Sequence, residues 1–206
     1  MNINKIIRKL ENYQAKPMDN IGEYAVMIPL ILEDNEWNLV YELRSMDLAR
    51  QPGEISFPGG RVEKGETFKQ ASIRETMEEL LIERSNINLI GELDYLVSRD
   101  NYTIYCFLGI ITGLEVKDIK PSKDEVDHIF TVPLKFFLNN KPDEYFLDLE
   151  TRINEEFPYN LIPNGEDYKF SGGKHSVLFY KYGQYNIWGY TAKMTRHFIN
   201  IIKDLD

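Results

Sequence analysis

Residues 59–82, GGRVEKGETFKQASIRETMEELLI, read as a loop, a turn and then a helix whose polar side is crowded with carboxylates. A Lys64-Gly65 turn precedes the helix, which the sequence places from about Glu66 or Thr67 to about Leu81. At about 3.6 residues per turn, Glu75, Glu78 and Glu79 stand at i, i+3 and i+4 and so share a face. Ile73, Met77 and Leu80 fall roughly opposite, the stripe that a helix docked on a sheet requires. Clustered carboxylates repel one another, and Arg74, at i−4 from Glu78, is the local compensation. Such a cluster is most comfortable with hard divalent cations among its oxygens. A glutamate-rich helix with one apolar stripe is usually a solvated surface helix. The paired glycines, the separate Glu66 and the Arg74-Glu75 pair are hard to reach by that route.

Gly60, Glu66 and the run Arg74-Glu75-Thr76-Met77-Glu78-Glu79-Leu80-Leu81-Ile82 resemble the Nudix box, G-x5-E-x7-R-E-U-x-E-E-x-G-U, in which U is apolar. Gly60, Glu66, Arg74, Glu75, Glu78 and Glu79 match in register. Two positions depart from it: Thr76 is not a large aliphatic, and Leu81 stands where the box has glycine. That glycine serves the helix C-terminus, so Leu81 bears on the local turn and leaves the metal chemistry alone.

The chain of 206 residues is long enough for one substantial domain, and we expect a single domain over 1–206 with an N-terminal helical extension over 1–20 and the box at 60–82. A net charge of −9 argues against non-specific nucleic-acid binding, which needs basic surface. The single cysteine, Cys106, excludes an intrachain disulfide and a cysteine metal cluster, and its apolar surroundings predict a buried, inert thiol. The opening MNINKIIRKLENYQ is too polar for a signal peptide, and no apolar run reaches membrane-spanning length. The expected location is cytoplasmic, without membrane association.

Apolar residues at helical spacing predict a short helix over 3–13, of the kind that packs on its own domain. Tyr24–Leu32 reads as a buried strand, turned at 33–36 into a second strand over Trp37–Leu43. Further strands are expected at Ile87–Val97, Tyr102–Thr112, Ile129–Val132, Tyr145–Leu149 and His175–Tyr182, with a short helix at Pro133–Leu138. A closing helix is expected to end near Ile202, with Met194, Phe198, Ile201 and Ile202 on its apolar side. Residues 139–172 say little beyond that one strand, and His128, His175 and His197 have no ligand-like spacing.

Between the second strand and the box lies RSMDLARQPGEISFPGG, Arg44 to Gly60, long and aperiodic as functional loops are. It is similar to the motif of the coenzyme A pyrophosphatase branch of the Nudix family, L-L-T-x-R-S-x3-R-x3-G-x3-F-P-G-G. Arg44-Ser45, Gly53 and Phe57-Pro58-Gly59-Gly60 match in register; Arg50 is displaced by one position, and Val40-Tyr41-Glu42 stand in for L-L-T. The run Ile187-Trp188-Gly189-Tyr190-Thr191-Ala192 is similar to the I/V-W-G-x-T-A segment of the same branch. Arg44 and Arg50 carry guanidinium forks suited to phosphate oxygens, although a lone surface arginine more often pairs with a nearby carboxylate.

The resemblance implies an α/β fold, a Nudix-type α/β/α sandwich with a mixed sheet, here with an added N-terminal helix. It implies Mg²⁺ or Mn²⁺ held by Glu75, Glu78, Glu79 and the carbonyl of Gly59, with Glu66 bracing the loop and Arg74 orienting the carboxylates. Glu75 or Glu125 would take a proton from the attacking water, and the sequence does not choose; Asp124 and Asp127 are further candidates beside Glu125. Arg44, Arg50, Ser45 and Phe57 would face the substrate, a small-molecule nucleotide, with coenzyme A or an acyl-coenzyme A first. ADP-ribose, NADH or a dinucleoside polyphosphate are alternatives, as is a Nudix-fold sensor that binds without hydrolysis. Members of the family often pair as homodimers, but no interface is legible here.

Overall fold

A capping box and a left-handed residue set the limits of the helix that carries the glutamates. In the computed structural model, which describes residues 2–13 and 15–203, Thr67 caps the helix: its Oγ1 accepts the Gln70 amide at 3.2 Å. The Gln70 side chain accepts the Thr67 amide in return at 2.8 Å. At the other end Leu81 takes φ 50° and ψ 47°, the conformation that glycine fills most cheaply.

Along the chain, α1 (Ile3–Glu11) is followed by β1 (Gly22–Glu33), β2 (Glu36–Arg44), β3 (Ile55–Ser56), β4 (Gly59–Arg61) and α2 (Phe68–Leu80). Then come β5 (Ile87–Glu92), β6 (Leu96–Val97), β7 (Tyr102–Ile111), β8 (Val126–Pro133) and α3 (Leu134–Asn139). The chain closes with β9 (Asp143–Leu149), β10 (Gly173–Tyr182), β11 (Tyr185–Trp188) and α4 (Gly189–Ile202). These elements gather into two compact units, one built from residues up to Leu30 with Pro58–Ser122, the other from Ile31–Phe57 with residues from Lys123 onward.

In the first unit β7 lies between β1 and β5, while β4 pairs antiparallel with β1 in the register Ala25↔Gly60 and Val26↔Gly59. Ala25, Ala71 and Phe107 form a small core beneath α2, with Val62, Phe68, Leu89 and Tyr105 packed against it. Phe68 stacks on Tyr105 with ring centroids 3.5 Å apart, which pins the first turn of α2 to β7. The buried side of α2 is rotated from the expected stripe. Ile73 and Leu80 are buried, but Thr76 and Glu79 join them in place of Met77. Thr76 meets its polar obligation by donating its hydroxyl to the Ser72 carbonyl at 2.7 Å, and so serves at an apolar position. The long strand expected over 87–97 is interrupted after Glu92, so β6 is a separate short piece on β7. Cys106 is buried as expected, and burial pushes its thiol up to about 12. Helix α1 forms as expected but has no buried residue: Ile3, Ile7 and Leu10 are exposed.

The second unit is organised around Tyr41 on β2. Its ring is fully buried and stacks on Phe57 (centroids 4.7 Å) and Phe130 (5.5 Å), and its hydroxyl meets Thr195 Oγ1 at 2.9 Å. Burial raises the Tyr41 phenol well above its ordinary range. Asp34 (φ 49°) and Asn35 (φ 65°) are both left-handed, the conformation of a two-residue hairpin turn, and deliver the chain into β2. β2 pairs with β8 from Asn38↔Pro133 to Arg44↔Val126, so β8 begins three residues before the strand expected at Ile129. β9, β10 and β11 form an antiparallel sheet, and Tyr185–Trp188, read from sequence as the approach to the closing helix, is its edge strand. On α4 the buried residues are Thr191, Ala192, Met194, Thr195, Phe198 and Ile199, whereas Ile201 is exposed. Thr191 ties this helix to β3 by donating to the Ile55 carbonyl at 3.0 Å.

Candidate active site

Arg74 is the hub of the carboxylates on α2. Its Nε and Nη2 donate to the two oxygens of Glu66 at 3.1 and 2.7 Å, a two-point fork. Its Nη1 donates to Glu75 Oε1 at 2.7 Å and Glu78 Oε2 at 3.1 Å, and Nη2 also reaches the Arg61 carbonyl at 3.2 Å. One cationic group therefore draws an oxygen of Glu75 and an oxygen of Glu78 toward a common point. Hydrogen bonds from Arg74 hold the Glu66 carboxyl below the usual carboxylate range, and the same carboxylates, Glu66 foremost, raise the guanidinium further. Glu66 also accepts the Glu63 amide at 2.6 Å, which fastens the loop before α2 to the helix itself.

Glu79 is 2% exposed, unlike its solvated neighbour Glu78, and its Oε2 accepts the Gly59 amide at 2.7 Å. The expected common face is thus split by depth. Glu78 is at the surface, Glu75 is half-buried and Glu79 is inside. The two glycines before the helix are required by close approach. A Cβ on Gly60 would fall onto the Glu75 carboxylate, and one on Gly59 would meet the Ala25 carbonyl oxygen at 2.5 Å and Val26 Cα at 2.6 Å. Among the described residues no three His, Cys, Asp or Glu side chains stand ready-grouped as a metal cluster. The donors around Arg74 are nonetheless all oxygens, gathered by a positive charge, which is the chemistry of a hard divalent ion.

The other expected site residues lie in the second unit. Ser45 is buried; its amide donates to the Glu125 carbonyl at 2.8 Å, and its Oγ accepts the Asp47 amide at 3.3 Å. The Glu125 and Arg50 side chains are exposed. Arg44 holds both ends of its loop through backbone bonds, its amide to Glu54 O (2.9 Å) and its carbonyl from Gly53 N (3.1 Å). Phe57, expected at the substrate, is 2% exposed and stacked on Tyr41; from there it anchors the end of the loop. Sequence reasoning missed a chain of polar groups nearby. His128, given no role, meets Asp127 Oδ2 through Nδ1 at 2.6 Å and the Tyr185 hydroxyl through Nε2 at 3.0 Å. Tyr185 lies 57 residues further on, so no local spacing pointed to it.

The NUDIX domain profile matches residues 23–154. The chain is 28% identical over 176 residues to the mitochondrial coenzyme A diphosphatase NUDT8 of Mus musculus, covering 83% of this chain and 73% of that one. It is 29% identical over 192 residues to NudL of Photorhabdus laumondii, an uncharacterized Nudix hydrolase, covering 92% and 90%. Among solved structures, a MutT/nudix family protein from Enterococcus faecalis superposes with a TM-score of 0.52 at 13% identity, over 99% of this chain and 70% of that one. The family match and these relatives make the chain a hydrolase of phosphoric anhydrides, and its fold is α/β with a mixed sheet. The chain belongs to the Nudix family, where its likeness runs to the coenzyme A pyrophosphatase-like branch. It is a Nudix pyrophosphohydrolase, of a family that uses divalent metal ions. Among the described residues no helix is long and apolar enough to cross a membrane.

Proposed function

We propose that the protein hydrolyses the diphosphate of coenzyme A or an acyl-coenzyme A, releasing 4′-phosphopantetheine and adenosine 3′,5′-bisphosphate. The observation that carries the hydrolytic site is the gathering of Glu66, Glu75 and Glu78 on one arginine beside the Gly59–Glu79 bond. Support for the substrate comes from the Arg44-Ser45, Gly53 and FPGG residues and from likeness to a coenzyme A diphosphatase. Glu75, Glu78, Glu79 and the Gly59 carbonyl would hold Mg²⁺ or Mn²⁺. Such an ion supplies Lewis acidity and neutralises phosphate charge.

The chain's own groups do the rest. Glu75 or Glu125 takes a proton from water as the water oxygen bonds to phosphorus and the bridging P–O bond breaks toward the leaving phosphate. Arg74, tied to Glu66, keeps the Glu75 carboxylate turned toward its neighbours. Arg44 and Arg50 receive phosphate oxygens of the substrate. No serine or cysteine is needed as a nucleophile. The test is a product assay with Mg²⁺ or Mn²⁺, offering coenzyme A, ADP-ribose, NADH and diadenosine polyphosphates side by side. Preferential release of adenosine 3′,5′-bisphosphate is expected. Preference for another nucleotide would remove the substrate, and tight binding without turnover of any would remove the enzyme. In the same assay, comparing Glu75→Gln with Glu125→Gln assigns the base, the true one costing far more of kcat.

A further inference from the structure

A cavity of about 610 Å³ opens in the second unit, within the range of small-molecule sites. Its lining includes Phe179, Trp188, Tyr185, His128, Gln184 and Asn186, together with Gly53 of the Arg44–Gly60 loop. Among the described residues no lysine, arginine, aspartate or glutamate lines it, so it suits an uncharged group better than a phosphate.

Two features select a flat, heteroaromatic occupant. First, its walls are flat. Trp188 and Phe179 are cross-strand partners on β11 and β10, stacked with centroids 5.8 Å apart and planes within 10°, and the indole is still 41% exposed. Tyr185 is backed by Phe130, with centroids 3.7 Å apart and planes within 6°. Second, its polar groups donate and accept side by side. The exposed Gln184 and Asn186 amides each carry both functions. The Tyr185 hydroxyl is held in place by His128, itself fixed by Asp127. We propose that this cavity is a purine-base subsite, in which the adenine of a nucleotide stacks on Trp188 and its edge is read by Gln184 and Asn186. The proposal deepens, and rests on, the assignment of a nucleotide substrate.

The chain has two tryptophans, Trp37 and Trp188, so Trp37→Phe leaves the indole of interest as the sole reporter. Fluorescence of that variant is titrated with adenosine 5′-monophosphate and, separately, with 4′-phosphopantetheine, in the absence of divalent metal. Saturable quenching by the adenosine nucleotide alone is expected, weakened by Asn186→Ala or Gln184→Ala. In turnover, Trp188→Leu is expected to raise KM about ten-fold with kcat little changed. Quenching by phosphopantetheine alone or by both compounds alike, or quenching by neither, overturns the subsite. The two proposals fail separately. If coenzyme A is hydrolysed but the nucleotide does not quench, only the subsite falls. If the nucleotide quenches but no coenzyme A is hydrolysed, only the substrate assignment falls.

Discussion

Arg74 donates two hydrogen bonds to Glu66 and one each to Glu75 and Glu78. Its main partner is Glu66, eight residues back and off the helix, a pairing that helical spacing does not predict. The two-point fork with Glu66 leaves Nη1 for Glu75 and Glu78, and a lysine has one compact charge in place of that plane. Arg74→Lys should therefore fold normally and lose about 10–100-fold in kcat, measured by steady-state kinetics. The Glu66 carboxyl has a pKa lowered in the folded chain, chiefly by its Arg74 bonds, so between its folded and unfolded values the unfolded state binds more protons. The stability it contributes is present above the ordinary glutamate pKa and is lost as pH falls through the folded one. The melting-temperature gap between wild type and Glu66→Gln should thus be widest near neutrality and close toward acid, as a series of thermal melts would show. Glu79 illustrates what a helical projection leaves out. It shares a face with Glu75, but its depth comes from the Gly59 amide that it accepts, a contact 20 residues distant.

The elements were largely legible, because hydrophobic alternation and caps are local. α2 was placed to within a residue or two at each end, and the main strands of both units were found. What escaped were elements whose pairing is long-range: β3 and β4 inside an apparently irregular loop, and β11 hidden against the helix that follows it. At the end of α2, Leu81 occupies a left-handed position and is exposed, so a glycine loses little contact and relieves the strain of a Cβ there. Leu81→Gly should raise stability by about 0.5–1 kcal/mol, read as an upward shift in Tm. The two glycines of β4 should fail differently. Gly60→Ala pushes the Glu75 carboxylate aside, so it should stay folded and lose about a hundred-fold in turnover. Gly59→Ala meets backbone of β1 and should lower Tm by several degrees, since β4 must separate from its partner. Circular dichroism melts and kinetics on the pair separate the two outcomes.

At the scale of the molecule, an acidic chain acts on an anionic substrate. Under the proposed mechanism its net charge of −9 is answered locally, by cations held among the carboxylates and by a few arginines. The carboxylate cluster was legible because Gly59 to Glu79 is one continuous stretch, brought together by a turn and a helix. The substrate half was legible only as a motif. Ser45 and Phe57 proved to be inside the protein, while the polar chain from Asp127 through His128 to Tyr185 left no mark in the sequence. In the proposed function the box carboxylates carry out hydrolysis of a diphosphate. The decisive experiment is turnover of coenzyme A by Glu75→Gln, with Mg²⁺ or Mn²⁺ present and the fold checked by its thermal melt. A folded protein with kcat lower by about a thousand-fold or more is expected. Turnover at the wild-type rate would contradict it.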